Sequence, residues 1–207
     1  MCHALLSDTT FWKLLLRFDE DLAAATRGQG CSCGSALHRA DYPRKPRGGP
    51  PDLGREYRRR LSLCCAREGC RRRTTPPSVR FLGRRVYLGA VVVLASALRE
   101  GITARRAAQL REWLGVSLRT LRRWRAWWRG AFVASAFWRS VRGRLLPPVA
   151  VEALPASLLE RFSGEDERSR VIQALRFLSP LSTTWAGSTM GARDPQRMPL
   201  VPGLGGS

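Results

Sequence analysis

Apolar residues recur along this chain at helical spacing near both ends. The middle holds a stretch where they hardly recur at all. Over residues 8–26, Phe11, Leu14, Leu15, Phe18 and Leu22 fall at i, i+3, i+4, i+7 and i+11, which places them on one face of an amphipathic helix. Asp8 or Thr9 can cap its start, and Asp19, Glu20 and Asp21 fall on its other faces. Gly28 and Gly30 break this pattern. Residues 31–75 carry cysteine, glycine, proline and arginine with only short apolar pieces. Within them 37–42 and 57–63 read as short strands around the turn-rich loop PRKPRGGPPDLG. A module with so little apolar material needs a staple.

Residues 76–85, PPSVRFLGRR, read as a linker, because two prolines prevent a helix from starting before Ser78. Residues 87–99 are apolar nearly all round, the mark of a buried central helix, and Glu100 and Gly101 end it. Further helices are predicted over 131–143, stopped by Pro147 and Pro148, and over 155–162 and 166–178. The acids of GEDER, 164–168, suit the N-terminal end of the last one. The tail from Ser179, rich in Gly, Pro, Ser and Thr, reads as disordered. These breaks divide the chain into 1–27, 28–75, 76–145, 146–178 and 179–207.

The most informative stretch is residues 101–129, GITARRAAQLREWLGVSLRTLRRWRAWWR. Thr103 can cap a first helix, on which Leu110 and Leu114 share a face. Gly115 stands where a sharp turn favours positive φ. Val116 plugs the turn and Ser117 caps a second helix. There Leu121, Trp124 and Trp128 form an inward stripe with Leu118 at its edge. Arg119, Arg122 and Arg123 project the other way, and Arg125 lies to one flank. Arg111 follows the inner leucine at a position where close helix packing favours a small residue.

Charge changes the picture. The chain of 207 residues has 36 basic and 16 acidic side chains, a net +20, and all the basic ones except Lys13 and Lys45 are arginine. Codon bias alone would scatter them. Instead eleven basic and two acidic residues lie within 55–85, and eight basic and one acidic within 101–130, while 1–30 and 150–178 each hold one more acid than base. Such clustering is the footprint of a protein that meets a polyanion. The start lacks the basic region and cleavage site of a secretory signal. The longest apolar run, 87–98, is shorter than the ~20 residues a membrane span needs. The expected location is therefore the cytoplasm, on the nucleoid, with no membrane.

Six cysteines in such a chain point to metal or plain burial rather than a disulfide framework. Cys31 and Cys33 in one short turn, and Cys65 and Cys70 in another, can supply four ligands to a structural Zn2+. Gly34 and Gly69 suit the tight backbone. The intervals, one residue and four, depart from the usual two, and Cys64 or His38 could replace one of the four. Cys2 reads as a free thiol. Four protein ligands would leave no open position for water, so the site is structural rather than catalytic. The arginines and threonines of CRRRTTPP at its rim suit phosphate.

The order Leu-Gly-Val-Ser-x-x-Thr-Leu-x-x-Trp resembles the helix-turn-helix of bacterial regulators and transposases. Together with HRADYPRKPRG and CCAREGCRRRTTPPSVRFLGRRVY, it is similar to short insertion-sequence-associated or transposase-related proteins of GC-rich bacteria, in which a zinc ribbon precedes the helix-turn-helix. The resemblance covers roughly residues 28–178. It implies a mainly α protein whose helix-turn-helix domain follows a small zinc-ribbon-like β module, with a disordered C-terminal tail. It also implies binding of double-stranded DNA at transposon ends, alone, by self-association or with a transposase partner. On that reading the second helix enters the major groove. Arg119, Arg122 and Arg123 would reach base edges, Ser117 and Thr120 would touch phosphate or cap the helix, and Arg105, Arg106, Arg125 and Arg129 would contact the backbone.

No acid lies in an apolar strand-like run, so the three converging carboxylates of a two-metal transposase are not in view. A non-enzymatic binder is favoured over a catalytic transposase or a fragment of one. A third possibility is RNA, stacked on Trp127, Trp128 and Trp138.

Overall fold

Two helices open the chain, α1 at Cys2–Ser7 and α2 at Thr9–Gly28. Between them Asp8 accepts from the Thr10 N–H at 2.8 Å, which satisfies one of the amides a helix start leaves unpaired. The computed structural model describes residues 2–50, 52–83, 85–98 and 104–183. The buried face of α2 is rotated from the expected one. Phe11, Trp12, Leu15 and Asp19 are buried, with Leu14, Phe18 and Leu22 half-buried. Glu20 and Asp21 face outward as anticipated, but Asp19 extends the Phe11–Leu15 stripe by one more helical step and points inward.

The cysteine-bearing module forms two small antiparallel sheets. β1 (Leu37–Arg39) and β2 (Tyr42–Pro43) replace the single strand expected over 37–42. The 57–63 stretch divides into a 3-10 turn at Arg55–Arg58, β3 (Arg59–Arg60) and the start of β4 (Leu63–Cys65). β5 (Arg73–Thr74) completes a sheet of order β1-β4-β5, while β2 pairs with β3. The breaks have a cause in Asp41, which accepts from the Ser62 N–H at 3.1 Å and from Arg39 Nε at 2.5 Å. Tyr57 turns inward, and its hydroxyl donates to the Trp12 carbonyl at 3.0 Å.

Residues 76–85 are not a linker. Ser78, Val79, Arg80, Phe81 and Leu82 are all buried. The two prolines do forbid a helix, but an extended chain can also run beneath a core. Arg80 Nε donates to Asp19 Oδ2 at 2.7 Å, with both side chains at 1% exposure or less. Asp19 also accepts from the Val79 N–H at 2.7 Å and the Ser78 hydroxyl at 2.6 Å. The remaining Arg80 nitrogens donate to the carbonyls of Tyr57 and Arg59 at 3.3 and 3.1 Å. Its guanidinium lies 4.8 Å from the centre of the Tyr57 ring and 5.1 Å from that of Phe81. Arg60, buried as well, donates to the Pro76 carbonyl at 2.5 Å.

The central helix, α3 (Gly89–Ala97), is buried from Gly89 to Ser96, as its all-round apolar sequence requires. Glycine suits its first position, because a Cβ on Gly89 would stand 3.2 Å from the Val79 carbonyl oxygen, a tight approach. The expected stop at Glu100 and Gly101, and the Thr103 cap, lie outside the described residues. α4 (Ala104–Leu114) and α5 (Leu118–Trp127) follow. The helix expected over 131–143 is instead a π turn at Trp128–Phe132 and a separate α6 at Ala136–Val141. Ser135 makes the break, accepting from the Trp138 N–H at 3.1 Å and donating to the Phe132 carbonyl at 2.6 Å. α7 (Ala156–Leu159) and α8 (Glu167–Leu178) close the fold, with Asp166 capping α8 through the Ser169 N–H at 2.7 Å.

The tail does not begin at 179. Ser179–Ser182 form a 3-10 turn, and Ser182 Oγ accepts from the Ser78 N–H at 2.8 Å. Residues 184–207 lie outside the described residues. One main core gathers side chains from Leu5 to Leu178, including Tyr57, while Cys31, Leu37, Leu63 and Cys65 form a small core of their own. No helix among the described residues is long and apolar enough to cross a membrane.

Removing one member of a buried ion pair leaves the other charged and unpaired, which costs about 3–5 kcal/mol. Asp19→Ala is expected to destabilise the protein by about that much in urea unfolding. Glu20→Ala, one residue along and exposed, should change stability by no more than about 0.5 kcal/mol.

Candidate metal centre and basic helix face

Cys31 and Cys33 sit in the turn before β1, Cys65 ends β4, and Cys70 lies in the turn leading to β5. The register pairs Leu37 with Cys65 and His38 with Cys64. Side chains alternate along a strand, so His38 and Cys64 share the face opposite Cys65. That geometry answers which cysteines form the cluster. The Sγ atoms of Cys31, Cys33, Cys65 and Cys70 all lie within 4.8 Å of one another, and neither Cys64 nor His38 joins them. The Cys31–Cys70 separation is 3.8 Å and the Cys33–Cys65 separation 3.5 Å. A disulfide bond would need about 2.05 Å. Four soft donors in one small volume could hold a metal ion. The Cys2 side chain lies outside the described residues.

The irregular intervals are accommodated by the turns themselves. With one intervening residue, Cys31 and Cys33 share a turn closed by the Gly34 N–H on the Cys31 carbonyl and the Cys31 N–H on the Ser35 carbonyl, both at 2.8 Å. With four, the Cys70 and Arg71 amides both donate to the Arg67 carbonyl at 3.2 Å, and Arg71 adopts a φ of 42°.

Backbone amides also point at the sulfurs. The Arg67 N–H donates to Cys65 Sγ at 3.4 Å, and the Cys33 and Ser35 amides serve Cys31 and Cys33 in the same way. The Ser35 amide is the main reason the Cys33 thiol is lowered to about 6, and the Cys33 amide lowers Cys31. Burial pushes Cys65 up to about 12. The turns thus favour thiolates at one end of the cluster, while the buried end needs a positive charge to ionise.

The second feature is the unit of α4, turn and α5. Gly115 has φ 62°, its N–H donates to the Arg111 carbonyl at 3.0 Å, and Val116 donates to the Leu110 carbonyl at 3.1 Å. This is the left-handed helix stop that glycine favours. Arg111 itself is exposed, so it does not occupy the space between the helices, which Leu110 and Leu114 partly fill. Val116 is buried, and Ser117 caps α5 by accepting from the Thr120 N–H at 3.2 Å. The two hydroxyls lie 3.0 Å apart, so Ser117 caps the helix and the Thr120 hydroxyl stands beside it.

On α5, Leu121 and Trp124 are buried, as is Trp128 in the π turn that follows. Arg119, Arg122 and Arg123 are exposed, and among the described residues no carboxylate forms an ion pair with any of them. Arg125 is half-buried, and its guanidinium donates to the Leu98 carbonyl. Burial lowers its pKa, so this residue holds the fold together at a position expected to meet a partner. Arg105 and Arg129 are exposed, and the Arg106 side chain lies outside the described residues. Trp138 is buried, and Trp127 is half-buried against Trp128 and Phe132 at centroid distances of 4.7 and 5.5 Å.

One residue beside this face escaped the sequence reading. Arg85 lies with its guanidinium 4.1 Å from the centre of the Trp127 ring. Nothing in the residue spacing relates position 85 to 127; their meeting is a product of the buried strap before α3.

No protein-family model, curated protein or solved structure matches this chain.

Gly115→Ala should destabilise the protein by about 1–2 kcal/mol, the cost of left-handed backbone for an L-residue. A Cβ there meets nothing within 4 Å, so the loss in thermal unfolding should come from backbone conformation alone. Gly34→Ala, with a φ of 83° and equally open surroundings, should show a similar loss.

Proposed function

We propose that this protein binds double-stranded DNA, with α4, the Gly115 turn and α5 acting as a helix-turn-helix and α5 entering the major groove. The observation that carries this reading is the polarity of α5. One face is anchored in the core by Leu121 and Trp124, and the other offers Arg119, Arg122 and Arg123 to solvent with no carboxylate partner among the described residues. A helix held this way presents arginines rigidly, and arginine is suited to the O6 and N7 edge of guanine. The net charge of +20 would draw the protein to a polyanion. The RNA alternative is disfavoured, because of Trp127, Trp128 and Trp138 the last two are buried and the first is half-buried beneath Arg85.

The cysteine quartet is proposed to hold a structural Zn2+. Sulfurs bound to Zn2+ at ~2.3 Å in a tetrahedron stand about 3.8 Å apart, close to the separations of 3.8 and 3.5 Å here. Four thiolates would supply folding energy to a sheet with little core and leave no open position for a catalytic water. Binding rather than catalysis also agrees with where several acids go. Asp19 is committed to Arg80, Asp41 to Arg39, and Asp8 and Asp166 to helix caps. A role beside a mobile element, as an accessory or transposase-related factor acting on the nucleoid alone, as a self-associated assembly or with a transposase partner, rests on the resemblance of motif order.

Selection of bound duplexes from a random pool tests the DNA reading: an enriched motif is expected, and none would sink it. On the selected site, Arg122→Ala should cost about 1–3 kcal/mol and relax the preference at one base position. Equal loss on all sequences would place Arg122 on phosphate instead. For the metal, Zn2+ should bind with a stoichiometry of one, and Cys65→Ser should abolish binding while Cys64→Ser leaves it intact. Metal displaces protons from thiols. Because Cys65 stands at about 12 before metal binds, Zn2+ addition at pH 7 should release protons. Affinity should fall further once the pH drops below about 6, where Cys33 also takes one up.

A further inference from the structure

We propose that Arg85 is a DNA-phosphate seat built onto the side of α5, so that the segment leading into α3 and the recognition helix grip the duplex together. This rests on the DNA-binding reading above and extends it to a residue outside the helix-turn-helix.

The seat is preorganised on three sides. Arg44 donates to the carbonyls of Gly83 and Arg85 at 3.3 and 2.8 Å and fixes the backbone. The Tyr87 hydroxyl donates to the Gly115 carbonyl at 2.7 Å, and its ring meets Trp124 edge-on at 4.9 Å. The same segment is thereby tied to the turn and to α5. The Arg85 side chain then lies over Trp127 at 4.1 Å. A guanidinium held against an aromatic face loses little freedom when it binds an anion.

The charge arrangement asks for that anion. Arg119, Arg123 and Trp127 are spaced i, i+4 and i+8 on α5, with steps of about 6 Å along the axis. Arg85, on Trp127, continues the line begun by the two arginines. Among the described residues no carboxylate pairs with Arg85, Arg119 or Arg123. Arg85 is lowered to about 10, first by burial and then by the charge of Arg123. A structural arginine in this protein finds an acid or carbonyls, as Arg80 and Arg60 do. Among the described residues the Arg85 guanidinium has an aromatic ring and a like charge instead. A phosphate beside it would relieve the repulsion and supply the missing acceptor. Since it would meet backbone and not bases, its contribution should be the same on every sequence.

The test is the salt dependence of binding to a random-sequence DNA duplex and to the selected site, compared for the full chain and for Arg85→Gln. Loss of one phosphate contact should lower the slope of log K against log salt by about one, and weaken binding about eightfold at 0.1 M salt. The weakening should be equal on both duplexes. Arg85→Lys, which keeps the charge, should retain most of the slope and guards against a folding effect, read separately by thermal unfolding. An unchanged slope in Arg85→Gln, with Arg119→Gln reducing it, would overturn the seat and leave the DNA reading standing. Loss on the selected site only would also overturn it, by making Arg85 a base reader. An effect seen only with single-stranded RNA would do the same. If the wild-type chain binds no duplex between 50 and 200 mM salt, the DNA reading falls and the seat with it.

Discussion

The buried pair of Asp19 and Arg80 is the constraint on which the arrangement of this protein depends. An aspartate taken out of water is tolerated only if its charge is matched and its lone pairs are filled, and here three donors do both: the Arg80 Nε, the Ser78 hydroxyl and the Val79 N–H, with Ser78 Oγ accepting in turn from the Arg80 N–H at 3.2 Å. Arg80 spends its other nitrogens on carbonyls at the edge of the cysteine-bearing module. One interaction therefore joins the N-terminal helix, the small sheets and the strap before α3. Ser182 extends it to the 3-10 turn at Ser179–Ser182 through the Ser78 N–H and the Arg60 guanidinium. Hydrophobic contact alone is non-directional. The pair fixes which residue of the strap stands over which turn of α2.

The position of the strap has a consequence at the other side of the molecule. Residue 80 is fixed over α2 and Gly89 passes close to the Val79 carbonyl, so the segment between them is held at both ends. It brings Phe81 under Arg44 at 5.1 Å, Tyr87 against Trp124 and Arg85 onto Trp127. The core thus dictates that a basic side chain from the strap stands beside α5. Two of the arginines that swelled the basic count of 55–85, Arg60 and Arg80, are buried and hold the fold. The surface charge of that stretch is smaller than its sequence suggests, and the solvent-facing arginines of α5 carry correspondingly more of any electrostatic attraction.

Features that depend on local spacing were legible from the sequence. The turn at Gly115, the Ser117 cap, the inward Leu121 and Trp124 and the outward Arg119, Arg122 and Arg123 all follow from period and from residue preference within one or two turns of helix. The all-round burial of α3 did too, as did the presence of two short cysteine-bearing turns able to supply ligands to one site. What escaped depends on contacts between distant segments. Asp19 looked like a solvated acid because three acids in a row mark a polar face, and only the partner 61 residues away makes it a core residue. PPSVRFLG looked like a linker because it lacks any period, yet an extended buried segment has none to show. The choice among Cys65, Cys64 and His38 required the β1–β4 register, since a shift of one residue exchanges the faces of a strand.

The two basic features differ in how much of their charge is free to act outside the protein. Around the cysteines, Arg72 donates to the Ser32 hydroxyl at 2.7 Å and Arg73 lies over the Tyr42 ring at 5.8 Å. A Zn2+ held by four thiolates would carry a net charge of −2, so nearby arginines there would balance the site as well as face solvent. The α5 face has no such internal demand. Among the described residues its exposed arginines have no acid partner, and its flanking members are placed by the Leu98 carbonyl and by Trp127 rather than by counter-charges. Unneutralised charge on a rigid support is where a polyanion gains most, because association there releases counterions and disrupts no internal pair. If both modules touch one duplex, α5 should therefore dominate the salt dependence, and the cysteine module should act chiefly by its shape and by the rigidity that a bound metal confers.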